Sequence, residues 1–66
     1  MYRLITWRNG YKEYLQDNAQ TYTTVKALAW VVDQRTAELY RAELWAEPLS
    51  EAEMMERAGV KRLEGF

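Results

Sequence analysis

The sequence holds no cysteine, no histidine, one proline and a single serine, Ser50. Without cysteine no disulfide can staple the chain. Without cysteine or histidine the usual zinc ligand sets are missing, and so are nucleophiles of the Cys-His or Ser-His kind. The three glycines are isolated, so there is no glycine-rich loop to cradle a phosphate. No apolar run approaches the ~20 residues that a membrane helix needs. No apolar region follows the charges at the N-terminus, so no signal peptide is expected. The lack of cysteine fits a reducing cytoplasm, the expected location. A large excess of either charge is also missing. The net charge is −1, which argues against membrane-surface binding and against direct nucleic-acid binding. Carboxylates pair along the chain at Glu51/Glu53 and Glu43/Glu47, but no neighbouring group suggests a shared proton or a cation cage, and solvated charge is the simpler reading. The expectation is a protein that is not an enzyme and has no cofactor and no metal.

The abundant component is aromatic: three Trp, five Tyr and one Phe in 66 residues. A chain this short forms one domain at most and buries only ~60% of the surface its unfolded form exposes. Large side chains or a partner must therefore supply its stability. Charge is unevenly spread. Residues 1–35 carry five cations against three anions, and residues 36–66 carry four against seven.

Residues 2–7 (YRLITW) favour a strand, with Tyr2, Leu4 and Thr6 on one face and Arg3, Ile5 and Trp7 on the other. Asn9-Gly10 then gives a two-residue hairpin, because both residues tolerate positive φ, and residues 11–16 return as the second strand. Thr23 and Thr24 can cap a helix, and Val25, Leu28, Ala29 and Val32 recur at the i, i+3, i+4, i+7 spacing of an apolar helical stripe. Ala37–Ala46 alternates as a strand should, with Leu39, Arg41, Glu43 and Trp45 on its outer face. Two rival readings accompany this one. Residues 29–33 and 38–45 form a hairpin, or the Ala/Glu/Leu/Arg content of 36–47 makes that segment helical.

Glu47-Pro48 stops the strand. Ser50 and Glu53 make a capping box, with Leu49 and Met54 as the hydrophobic staple. The helix over 50–59 ends at Gly59 in the left-handed conformation, with Val60 set to touch Met55. A tail follows at 60–66. Trp30 lies about 140° from Val25 around the first helix, so either Met54 and Met55 of the last helix cover it or it faces a partner.

The expected fold is therefore α+β with the order ββαβα: a three-stranded antiparallel sheet in order 2-1-3, one helix on a face and a short C-terminal helix, all in a single domain. The core spans 2–46. The uncovered sheet face interleaves Trp and Arg, which is what a protein-binding hot spot needs. The candidate partner-binding residues are Arg3, Trp7, Tyr14, Trp30, Arg41 and Trp45.

A strand hairpin, a threonine-started helix (TYTTVKALAW) and an ELYRAEL strand together resemble very small phage and mobile-element proteins that inhibit host machinery. The layout of residues 2–46 is similar to that of small bacteriophage inhibitors of bacterial RNA polymerase and of some anti-CRISPR proteins. The resemblance is one of architecture and size. It implies a protein that occludes a surface of a larger host protein or ribonucleoprotein complex. Many such inhibitors are strongly acidic DNA mimics, whereas this chain is nearly neutral. A nucleic-acid-associated regulator and a structural homo-oligomer, such as a homodimer, are the alternatives.

Overall fold

A computed structural model describes residues 1–59; the tail at 60–66, and with it the Val60–Met55 contact, lies outside the described residues. The fold is α+β, with an antiparallel sheet and two helices. Strand β1 (Tyr2–Arg8) and strand β2 (Tyr11–Leu15) form the hairpin. Arg8 pairs with Tyr11 across a two-residue loop, in which Asn9 has φ 52° and Gly10 φ 82°. Both central residues are left-handed, as the twist of the hairpin requires.

Beyond the hairpin the path differs from the expected one. The stripe from Val25 to Val32 is not an α-helix. It is a short strand β3 (Tyr22–Thr23), a single 3-10 turn at Lys26–Leu28 and a short strand β4 (Val31–Val32). The Thr23 hydroxyl accepts from the Val25 N–H at 3.0 Å, closing a local turn rather than capping a helix. Trp30-Val31-Val32 is aromatic and β-branched and suits a pleated surface better than a helix. Val25 and Leu28 stay half-exposed.

The helix comes later. Asp33 accepts from the Thr36 N–H at 2.9 Å and caps helix α1 (Gln34–Tyr40). The segment expected as a strand is thus helix α1, a turn over 41–44 and a short strand β5 (Trp45–Pro48). The helix propensity of Ala37, Glu38 and Leu39, with an aspartate in the cap position, outweighs a two-residue alternation that any amphipathic helix partly imitates.

The pairings fix the sheet. Ile5 pairs with both Tyr14 and Trp45, so β2 and β5 flank β1 on opposite edges. Tyr2 and Arg3 pair with both β4 and β5, so β4 shares the edge of β2 and continues that lane where β2 leaves off. The Trp30 N–H donates to the Leu15 C=O at 3.0 Å at the handover. The central lanes thus keep the expected order, with β1 in the middle, and short β3 extends the β2 side. Among the described residues there are five strands in place of three, because the second lane is built from two segments and β3 is added.

One face of the sheet carries the main core: Leu4, Leu15 and Val32 from the strands, with Ala37 from α1 and Leu44 from the turn. Trp30 and Tyr40 pack at its margin, edge to face at 6.1 Å between ring centroids. On the opposite face Ile5 and Tyr14 are buried as well. Pro48 ends β5 on a sheet edge, where its missing N–H costs least, and the Leu49 N–H then donates to the Met1 C=O at 2.9 Å. Helix α2 (Glu51–Arg57) carries the full capping box between Ser50 and Glu53. It stops at Gly59, whose φ is +83°.

Candidate functional site

Register places the side chains of the outer face in rows, because directly paired residues of antiparallel strands project to the same side. Lys12 stands beside Trp7; Tyr14, Ile5 and Trp45 form the next row; Val31, Arg3 and Glu47 form the third. Ile5 is therefore enclosed by aromatic neighbours on both flanks, which explains its burial on a face that no strong helical stripe covers. The Lys12 Nζ lies 5.6 Å from the Tyr14 ring centroid and forms an ion pair with Glu47, reaching across β1. That hydrogen bond to Glu47 raises the Lys12 pKa above its ordinary value.

At one end of this face Glu53 ties three elements together. Its carboxylate accepts from the Ser50 N–H at 3.0 Å, from Arg3 at 3.2 Å and from Lys26 at 3.2 Å. These interactions, the Ser50 N–H first and then Arg3 and Lys26, hold its pKa down to about 2. Helix α2 is thereby clamped to β1 and to the 3-10 turn.

The other end is open. β1 runs on to Arg8, but β5 covers it only as far as Ile5. A cleft of about 250 Å³ fills the vacated place, lined by Ile5, Thr6 and Trp7 on one side and by Arg41–Trp45 on the other. Its two buried lining residues are Ile5 and Leu44. Trp7 is 53% exposed and Trp45 64%, and both lie on the outer face one row apart. Arg41 and Glu43 are exposed on the turn, and neither is in an ion pair among the described residues.

The six residues expected to bind a partner thus divide. Trp7, Arg41 and Trp45 come together around the cleft. Arg3, Tyr14 and Trp30 are taken up by the fold. The Arg3 side chain is only 11% exposed and is bound to Glu53. Tyr14 is buried beside Ile5. Trp30 is half-buried against the main core, edge to face with Tyr40. Arg41 reaches the cleft from the end of a helix, not from a strand. Glu43 belongs to the same cleft; reading Asp33 as a helix cap would have exposed the 41–44 turn and with it this residue. Leu39, 81% exposed, stands on helix α1 away from the sheet face expected for it.

The cleft offers two flat aromatic surfaces, one cation and one anion. That is recognition chemistry: desolvatable area with a bidentate donor beside it. Among the described residues no group of three or more acidic side chains is placed to hold a metal ion, and no helix is long and apolar enough to cross a membrane. No protein-family model, curated protein or solved structure matches the chain.

Proposed function

We propose that the protein is a non-enzymatic binding module that occludes a surface of a larger host protein or ribonucleoprotein complex, in the manner of small phage-type inhibitors. The observation that carries this reading is the pair Trp7 and Trp45, each more than half exposed on one sheet face, with the Arg41 guanidinium at the same cleft. A small domain with few buried apolar residues has no packing reason to leave two tryptophans in water. At an interface each would act as an anchor, and truncation of such an anchor costs about 2 kcal/mol or more, roughly thirtyfold in affinity.

The test is capture of a stoichiometric partner from bacterial lysate on tagged protein, with and without nuclease. The affinity of the purified partner is then measured for the wild type, Trp7→Ala and Trp45→Ala. A nuclease-resistant partner that binds each folded variant at least tenfold more weakly supports the reading. A partner lost with nuclease, whose affinity falls steeply with log salt, would replace it with phosphate contacts. Equal affinity of wild type and both variants would remove the tryptophans from the interface.

A further inference from the structure

We infer that the cleft between Trp7 and Trp45 is a seat for a cation, which the target fills with an arginine side chain held by the two indoles and the Glu43 carboxylate. The inference rests on the reading of this face as the target-binding surface and names what the target places there.

The first ground is a pattern that the chain repeats. A cation over an aromatic face is attracted by the ring quadrupole, and a carboxylate beside it adds an ion pair. Two such sets are complete. Arg8 lies 5.5 Å from the Tyr22 ring centroid and 3.4 Å from the Glu13 carboxylate. Lys12 lies 5.6 Å from the Tyr14 centroid and is paired with Glu47. A third set has its aromatic and acidic members but no cation. Trp7, Trp45 and Glu43 line one cleft. Among the described residues no cation lies over either indole, and Glu43 is in no ion pair. Indole is the strongest of the aromatic rings in this contact. Lys12 stands beside Trp7 in register, but Glu47 already holds it.

Arg41 is the one other cation at the cleft among the described residues. It also borders a second hollow, beside Tyr2, Ala37 and Glu38, so it stands at the rim between the two. From there it can donate to an acceptor on the target. An anion bound to it would gain nothing from the aromatic faces, which carry the negative side of the quadrupole. Size and shape then select the occupant. The cleft holds about 250 Å³, below the roughly 300–1,000 Å³ of pockets that enclose a whole small ligand, so it takes a single side chain. A guanidinium is planar, is more weakly hydrated than an ammonium and carries a fork of N–H donors. It can therefore stack on an indole and still reach a carboxylate, which favours arginine over lysine.

The test is a titration of the chain alone, without target, followed by the indole N–H NMR signals of its three tryptophans. The probe is N-acetyl-arginine methylamide. The citrulline analogue has the same shape without the charge, and the glutamate analogue tests for an anion site. The arginine probe should shift the Trp7 and Trp45 signals with a Kd of roughly 1–20 mM, as a few weak contacts allow. Trp30, packed against the core, should not respond. The citrulline and glutamate probes should bind at least about fivefold more weakly. Glu43→Gln should weaken arginine binding about threefold or more and leave citrulline binding unchanged, with an unmoved Trp30 signal reporting an intact fold. Arg41→Ala should bind the arginine probe at least as tightly as the wild type does. Equal binding of arginine and citrulline, tighter binding of glutamate, unchanged affinity in Glu43→Gln, loss of arginine binding in Arg41→Ala, or no shift of Trp7 and Trp45 up to about 100 mM would each overturn the inference. Any of these leaves the target reading to the capture experiment, since no target is present in the titration. A specific arginine response from a chain that captures no partner would end the target reading and keep the cation seat.

Discussion

Two leucine-to-alanine changes separate the observed path of the chain from the helix that its periodicity suggests. Leu28 belongs to the apolar stripe Val25–Val32 and, on an amphipathic helix, would face the sheet. In the structure it is 56% exposed on a 3-10 turn, while Leu4 is wholly buried in the central strand. Leu→Ala at an enclosed site costs about 2.7–5 kcal/mol, more where neighbours cannot collapse into the space. Leu4 is held on both sides by strand pairing, so β1 cannot shift without breaking a ladder, and about 3–4 kcal/mol is expected. A chain of this length has a total stability of about 3–10 kcal/mol. With only eight buried hydrophobic residues among those described, this domain belongs near the lower end of that range, and Leu4→Ala should be largely unfolded at 37 °C. Leu28→Ala should cost below about 1 kcal/mol, since most of its side chain is already in water. Urea unfolding followed by far-UV circular dichroism gives both values, provided the slopes match that of the wild type. A Leu28→Ala cost as large as that of Leu4→Ala would refute the strand–turn–strand path over 22–32 and restore the helical stripe.

Other elements give sharper local tests. The Glu53 pKa is depressed in the fold to about 2 from its ordinary 4.5. Its stabilising contribution is therefore complete above pH 4.5 and is lost as pH falls toward 2; acid titration of wild type and Glu53→Gln should differ in that window, and identical profiles would assign the acid loss to other carboxylates. Ser50→Ala removes one half of the capping box and should cost about 1 kcal/mol in a thermal melt, shared by no other element if α2 frays alone. Gly10→Ala meets no atom within 4 Å but keeps a φ of +82°, so it should cost about 1–2 kcal/mol from backbone strain alone; a neutral result would mean that the turn relaxes to another type. Asp33→Ala should speed amide exchange at Thr36 and leave the amides of α2 unchanged, because the Asp33 carboxylate holds the Thr36 N–H; unchanged exchange at Thr36 would deny that cap.

The parts of the fold that sequence reading captures are those settled within about four residues. Asn9-Gly10 closes a hairpin and Ser50 with Glu53 starts a helix wherever the rest of the chain goes, because the interacting groups are neighbours. Residues 25–46 are different. Val25, Leu28, Ala29 and Val32 fit a helical period, yet a run this short carries the same pattern whether it winds or extends. Asp33 decides the matter as a cap, but its polar neighbours Gln34 and Arg35 make it look like part of a loop. The site divides on the same line. Parity alone puts Trp7 on the outer face of β1. Arg3 and Tyr14 share that face but are withdrawn from a partner by Glu53, which is 50 residues from Arg3, and by the register that stacks Tyr14 beside Ile5. No local spacing carries either contact.

The cleft itself follows from a mismatch of lengths. β1 has seven residues because the Asn9-Gly10 turn fixes where it ends, while β5 has four. β5 cannot start earlier, because Leu44 is drawn to the opposite face, into the main core beside Leu4 and Val32. Its N–H, like that of Glu43, is bonded back to the Tyr40 C=O at 2.9 Å. Burial of Leu44 thus ends the ladder at Trp45, leaves the Trp7 rung open, and turns Arg41 and Glu43 outward beside it. The residue that completes the core is also the one that makes the edge available. A substitution such as Leu44→Ser, which releases the turn from the core, should therefore lower stability and alter binding at the Trp7 edge together. Trp7→Ala should lower binding with a smaller loss of stability, since just over half of its side chain already stands in water.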